Sequence, residues 1–435
     1  MAPFSRADWR GLLRQMSGGL VGKVAGAALA FLASIVLARI LGAEGYGRYA
    51  FAIAIMTVAL VPAQLGIPSL IVRETARYKA ERRWERVVQL WRWSIKASVV
   101  SACVVTICAV IMSLLMGAGF RSVLVIAAFT ILPSTLNSVR AAMLRGSGHV
   151  AIGVMPEYLI KPFILIVAVA LAAQFGNLGA DGAIAANVIA CVVTYAIGWA
   201  ILKKLTPPIA WQITGPILEK TQKDWLSAAI WLSLLASSQV ISQQVDIILV
   251  GALVDAQQAG VFKVAVSAGT LIVFSLNAVN LVTAPYFSRL IAQDNHLALQ
   301  RLVTRSSQFT LLCAVPLCLA LYFGSDFIVS KVYGVGFDGA ASCIRILCVG
   351  QLVNAAFGAV SGLMTMARQQ RTVAAVFSGS LIINICVSLF LIPVYGIEGA
   401  AVGSSLSLII WNICLAVLAY RRLGIWTLAL PRWRS

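Results

Sequence analysis

The chain has 435 residues, 60% of them apolar and 11% charged, with a mean hydropathy of +0.91. A soluble globule is about a quarter charged, so this composition excludes one, and the apolar runs leave no stretch long enough for a soluble catalytic domain. The net charge of +19, from 34 Lys and Arg against 15 Asp and Glu, is in a membrane protein first an orientation signal and needs no nucleic-acid partner.

A bilayer-spanning helix takes roughly 20 apolar residues. In chain order, twelve runs meet that requirement, near 16–40, 47–71, 94–117, 121–142, 154–175, 180–202, 225–250, 259–284, 304–324, 340–365, 372–393 and 397–420. The first is too long for a signal-peptide core and no small-residue cleavage site follows it, so it is expected to stay as helix one. It carries Lys23, with Ala27, Ala30 and Ser34 on the same face, and Arg39 near its end. Helix two is interrupted by Pro62 and Pro68 around Gln64 and Gly66, a predicted hinge where neighbours or a wet cavity re-satisfy the backbone. Residues 73–93 interleave basic side chains with Trp84, Val88 and Trp91, and residues 288–305 do so with Leu290, Ile291, Leu297 and Leu302; both predict helices lying on the inner surface. Arg140 lies on helix four, and Glu157 and Lys161 are an i, i+4 pair on helix five that suits an ion pair or an inner gate. Helix seven places Gln239, Gln243 and Asp246 on one face expected to meet helix eight. Asp246 is either a proton or sodium site or the partner of a cation such as Arg345 or Lys263. Helix eight bears the stripe Lys263, Ser267, Thr270, Phe274, Asn277, with Asn280 beside it.

Other chemistry is sparse. The nine cysteines sit in apolar runs without a C-x-x-C and read as packing residues. The two histidines, His149 and His296, fall in separate inner loops, so no metal site is expected. Residues 17–24 superficially resemble a phosphate loop, but Ser17 stands where Gly is needed and Val24 where Ser or Thr is needed. With no other nucleotide motif and no cofactor expected, the driving force should be an ion gradient, the membrane potential or the substrate's own gradient.

With the N-terminus inside, the inner segments hold 25 Lys and Arg and the outer loops three, Arg48, Arg121 and Lys331. Positive charge near span ends resists translocation, so both termini are expected in the cytoplasm.

The loop after helix one, Gly42-Ala43-Glu44-Gly45-Tyr46-Gly47-Arg48-Tyr49-Ala50, is echoed after helix seven by Gly251-Ala252-Leu253-Val254-Asp255 and then Gly260-Val261-Phe262-Lys263-Val264-Ala265. Gly179-Ala180-Asp181-Gly182-Ala183 is echoed by Gly396-Ile397-Glu398-Gly399-Ala400, and Asn137 by Asn354. The expected architecture is therefore an all-α polytopic membrane protein of about twelve helices in two six-helix lobes, 1–210 and 211–435, with parallel repeats flanking a central cavity.

At Leu37-Ala38-Arg39-Ile40-Leu41-Gly42-Ala43-Glu44-Gly45-Tyr46-Gly47-Arg48-Tyr49 and Leu65-Gly66-Ile67-Pro68-Ser69-Leu70-Ile71-Val72-Arg73-Glu74, the chain resembles the polysaccharide biosynthesis, or O-antigen flippase, family of the multidrug/oligosaccharidyl-lipid/polysaccharide (MOP) exporter superfamily. Asp246-Ile247-Ile248-Leu249-Val250-Gly251, Pro285-Tyr286-Phe287-Ser288-Arg289-Leu290 and Tyr395-Gly396-Ile397-Glu398-Gly399-Ala400 agree, so the resemblance covers nearly the whole chain. It implies the MOP-type fold and movement of an undecaprenyl-pyrophosphate-linked oligosaccharide across a bacterial inner membrane without ATP hydrolysis. It also implies a polysaccharide polymerase and assembly proteins as partners beside the membrane lipids. The lipid II flippase, a relative, places basic residues on helices one, two and eight, where Lys23, Arg48 and Lys263 stand here.

A charge at the bilayer centre costs about 2.5–3.5 kcal/mol on insertion scales and so faces a cavity or a partner. Of eight such residues, Lys23, Arg39, Arg140, Lys161, Lys263 and Arg345 are basic and only Glu157 and Asp246 acidic, a balance suited to a diphosphate headgroup. Lys23, Lys263, Arg39, Arg48, Asn277 and Gln243 are the expected substrate contacts; Asp246, Arg345, Arg140, Glu157 and Lys161 are the ion-coupling or gate candidates, and Pro62, Gly66 and Pro68 the hinge. Three rivals stay open: a multidrug exporter of the same superfamily, which would favour acidic cavities; a membrane polymerase or ligase, which would need a large external loop; and a scaffold.

Overall fold

In a computed structural model of the chain, the described residues are 6–174, 176, 178–206 and 219–429; the side chains of 6–21, 23, 24, 118, 219 and 220, and of several positions between 231 and 285, lie outside that set. Within it the secondary structure is helical throughout, as lipid requires of a chain that must satisfy every backbone group internally. The helices are α1 Arg6–Gln64, α2 Ile67–Ala80, α3 Trp84–Leu115, α4 Ala118–Ala128, α5 Ile131–Gly146, α6 Val150–Met155, α7 Lys161–Gln174 and α8 Ala180–Leu205. They continue with α9 Glu219–Leu253, α10 Ala256–Ala292, α11 His296–Ile328, α12 Ala340–Phe357, α13 Val360–Met366, α14 Gln370–Tyr395 and α15 Ile397–Leu423. Single π-helical turns, Pro156–Ile160 and Val329–Tyr333, follow α6 and α11.

Ten stretches among the described residues are long and apolar enough to cross a membrane. One of them, Ala25–Gln64, has 40 residues, about twice what a bilayer core accommodates. It turns at Gly42, whose φ of 67° and ψ of −179° lie where a Cβ is strongly disfavoured, and so contains most of the first predicted span and most of the second. The predicted span 225–250 lies within α9.

Two expectations are corrected. Residues 73–93 and 288–305 are not separate surface helices: the first divides between α2 and α3, the second between α10 and α11. The chain turns at Arg82 (φ 57°) and Asp294 (φ 52°). The Asn295 side chain then accepts from the Ala298 amide at 3.0 Å, capping α11. Residues 73–80 end the 14-residue helix α2, and the other basic, amphipathic residues extend the long apolar helices α3, α10 and α11 by a few turns.

By contacts the chain forms two compact units, Met1–Leu41 with Ala52–Val240, and Gly42–Phe51 with Ile241–Ser435. The division falls inside α1 and α9. In the first unit, Ile67, Leu70, Ile71 and Tyr78 of α2 pack with Leu90 and Trp91 of α3, Met143 of α5, Leu202 of α8 and Trp225 of α9. Indole N–H groups tie this core together: Trp91 donates to Thr75 at 3.0 Å and Trp225 to Tyr78 at 3.3 Å. In the second unit, the two loop echoes found in the sequence meet. A Cβ on Gly47 would stand 1.6 Å from the Ala256 carbonyl oxygen, and one on Gly260 would stand 2.4 Å from that of Ala43. The equivalent glycines of the two repeats thus form one close helix crossing, which only small residues permit.

Candidate functional site

The second unit holds a buried carboxylate surrounded by neutral groups. Asp246, on α9, is 7% exposed. Its oxygens accept from Asn384 Nδ2 at 3.0 and 3.2 Å, from Ser388 Oγ at 3.4 Å and from Ser404 Oγ. Asn384 and Ser388 are one turn apart on α14, and Ser404 comes from α15. The helices α14 and α15 approach closely because Gly399 and Gly403 face them: a Cβ at 399 would stand 2.5 Å from the Leu391 carbonyl oxygen, and one at 403 would stand 2.4 Å from Ser388 Oγ. The Ser380 and Ser407 hydroxyls pair at 2.7 Å between the same two helices.

The expectation that Asp246 pairs with a cation, or turns toward helix eight, is corrected. Its hydrogen-bond partners lie on α14 and α15, and Arg345 instead pairs with Asp326. Gln239 and Gln243, expected on the same face, are exposed. Asn384, Ser388 and Ser404 were missed in the sequence; the available signal was an amide and a hydroxyl one turn apart in an otherwise apolar span. Carboxylate, amide and hydroxyl oxygens form a hard donor set, which fits a proton or a small hard cation.

The remaining cations have separate surroundings. Lys263 on α10 is partly buried and has no hydrogen-bond or ion-pair partner among the described residues, with Ser267 buried one turn further on and Thr270 exposed. Arg48 is paired with Glu44 at 2.6 Å, and Arg39 is exposed on α1. The side chains of Lys23, Phe274, Asn277 and Asn280 lie outside the described residues.

In the first unit, Arg140 of α5 is fully buried. Its Nη2 donates to the Gly153 carbonyl at 3.4 Å, while Nε and Nη1 have no partner. The guanidinium lies against Gly198 of α8, where a Cβ would stand 2.4 Å from Nε. The expected Glu157–Lys161 ion pair is corrected: neither residue takes part in an ion pair among the described residues. Pro156 has no N–H to donate, and the turn it opens is π-helical, which changes the register behind the i, i+4 argument. The Oδ1 of Asn137 and Oγ1 of Thr194 are also buried without partners, so helices α5 and α8 enclose several polar atoms in unsatisfied positions.

The predicted hinge resolves into distinct parts. Pro62 lies inside α1, the chain breaks at Leu65 (φ 47°) and Gly66 (φ 68°), and Pro68 is in the first turn of α2. A Cβ at 66 would stand 2.2 Å from the Ala229 carbonyl oxygen. The break is therefore packed against α9.

Residues 12–291 match the family model described as polysaccharide biosynthesis protein. No curated protein matches the chain. Solved structures similar to it include an inward-facing multidrug resistance MATE transporter of the MOP superfamily, with a TM-score of 0.74 and 15% identity over 92% of this chain and 94% of that one. The lipid II flippase MurJ in an inward closed conformation gives 0.74 and 14% over 92% and 86%. A MOP superfamily transporter from Pyrococcus furiosus, described as having a binding pocket of reverse polarity, gives 0.65 and 14% over 94% and 95%. At these identities the likeness concerns the fold.

Proposed function

Because the chain belongs to the polysaccharide biosynthesis protein family and has the multi-pass helical fold of the MOP superfamily, we propose that it acts as a flippase for an undecaprenyl-pyrophosphate-linked oligosaccharide, moving it from the cytoplasmic to the outer leaflet of a bacterial inner membrane. A transporter of flippase type, without catalysis, is what the family and fold support at the coarser level. The fold alone does not separate substrate classes, since the multidrug and lipid II transporters are equally similar to it. Charge supports the anionic substrate: a multidrug exporter that attracts cations needs acids, whereas the intramembrane charges read from the sequence are six basic and two acidic.

The observation that carries the substrate reading is Lys263, a partly buried ammonium with no partner among the described residues. Such a group gains most from a charge-assisted contact with an anionic ligand in low dielectric. In the proposed cycle Lys263 contacts the diphosphate and Gln243 and Asn277 are candidate contacts of the glycan, with Lys23 and Arg39 as separate candidate contacts on the other unit. Arg48 serves at entry or exit. Asp246 with Asn384, Ser388 and Ser404 takes up the coupling proton or sodium ion, and Arg140, Glu157, Lys161 and Arg345 are gating candidates. The excess of 25 inner over three outer positive charges supports cytoplasmic termini. The substrate's producers and consumers, glycosyltransferases and a polysaccharide polymerase, are the expected neighbours.

The test is transfer of a labelled lipid-linked oligosaccharide in vesicles of the purified protein. Leaflet exchange that requires the protein supports the reading; none, from folded protein given the organism's own lipid-linked glycan, refutes it.

A further inference from the structure

After α15 the chain does not leave the bundle. Gly424, with φ 68°, ends the helix, and residues 425–429 return along the first half of α11. Their burial alternates, with Ile425, Thr427 and Ala429 buried and Trp426 exposed, the period of an extended segment. Side chains of α11 bind this segment through its backbone. The Gln300 amide makes both bonds that a neighbouring strand would make: its Nε2 donates to the Trp426 carbonyl and its Oε1 accepts from the Trp426 N–H, each at 2.7 Å. Ser307 Oγ donates to the Thr427 carbonyl at 3.0 Å, and Gln308 Nε2 to that of Ala429 at 3.1 Å. Eight helical residues advance about 12 Å and three extended ones about 10 Å, so the spacing of Gln300 and Gln308 matches that of Trp426 and Ala429. Beneath the segment, Ile425 packs with Phe287, Leu299, Val303, Ala359 and Leu363.

The strap ends on a broken helix. α12 stops at Phe357 and α13 starts at Val360. Between them Gly358 has φ 60° and ψ −138°, and a Cβ there would stand 2.2 Å from Ser307 Oγ. A helix that stops leaves carbonyls that something else must satisfy. Here the Ala429 N–H donates to the Ala356 carbonyl at 2.9 Å. Ser307 therefore touches both the strap and the break, and the strap supplies a donor that the break lacks.

We propose that residues 424–429 form a detachable latch. Docked, the strap holds the break at Gly358 in the conformation described; undocked, it frees α13 to change its angle to α12 during transport. The role in transport rests on the proposed flippase reading, while the mechanical coupling does not.

Hydrogen exchange on the full-length protein tests the coupling. Gln300→Ala with Gln308→Ala removes three bonds at roughly 1 kcal/mol each, so amides at 426–429 should exchange on the order of 100-fold faster, and those at 358–363 should follow. Fast exchange in the strap with 358–363 unchanged would overturn the proposal. If the double variant does not fold, the wild-type protein still decides: the amides of Trp426, Ala429 and 358–363 should share one opening free energy, and clearly separate values reject the latch. Flux gives the second arm. Ser307→Cys with Thr427→Cys, oxidised, should slow transfer at least about tenfold, with recovery on reduction; unchanged flux with the bridge formed rejects the latch in transport. Wild-type protein that never transfers lipid refutes the flippase reading, leaving the exchange result to decide the coupling.

Discussion

Lys263 and Asp246 belong to the same unit and differ in their company: the lysine has no partner among the described residues, and the carboxylate has three. Lys263→Ala removes a charge-assisted contact worth about 1.5–3 kcal/mol, so transport by equal amounts of folded protein should drop about 10- to 150-fold, while Lys263→Arg, which keeps the charge, should retain most of it. Initial-rate flipping assays on both variants check this; wild-type flux in Lys263→Ala would remove it from the substrate path. Asp246→Asn keeps the shape of its site and abolishes the charge, so flux should cease to respond to an imposed sodium or proton gradient, with thermal stability little changed. An unaltered gradient response in Asp246→Asn would move coupling elsewhere. Arg140 is a buried cation with two nitrogens unsatisfied, and an apolar side chain of similar volume is often neutral or stabilising at such a position. Arg140→Met should therefore melt no lower than wild type by differential scanning fluorimetry and yet transport more slowly. A lower melting temperature would make Arg140 a structural group.

At the scale of elements, the crossing of Gly47 and Gly260 is the contact least tolerant of a side chain. Gly260→Leu drives atoms into the Ala43 carbonyl and the Gly47 backbone. Overpacking of this kind typically costs about 1–3 kcal/mol even where only side chains must move, so the folded yield by size-exclusion chromatography should fall well below that of Gly269→Leu, where a Cβ meets nothing within 4 Å. The spans themselves were legible because hydropathy alone decides them. Their ends were not: residues 73–93 and 288–305 had the composition of surface helices, and the chain turns of positive φ at Arg82 and Asp294 divide each between two helices. The break at Gly358 was equally hidden, since nothing in the run 340–365 announces that Ser307 would come within a Cβ's reach of it.

At the scale of the molecule, two asparagines that the sequence pairs as echoes make comparable bonds. Asn137 of α5 donates to the Cys191 carbonyl of α8 at 3.1 Å, and its echo Asn354 of α12 accepts from Asn412 of α15 at 3.0 Å, so in each half the echoed asparagine ties to the last helix. By the 209 residues that separate Gly42 from Gly251, the position equivalent to Asp246 is Leu37, and by the 217 that separate Asn137 from Asn354, that equivalent to Asn384 is Val167, so the oxygen-rich cluster has no polar counterpart in the other half. That site was half legible: Asp246 stood out as a charge within a span, but its partners on α14 and α15 are ordinary small polar residues until the glycines bring those helices together. The central claim is that this fold carries an anionic lipid-linked sugar. Purified protein in vesicles, given a fluorescent undecaprenyl-diphosphate oligosaccharide, should move it between leaflets at a rate that falls when Lys263→Ala is substituted. Folded protein that leaves the lipid in its original leaflet, while exporting a lipophilic cation, would contradict it.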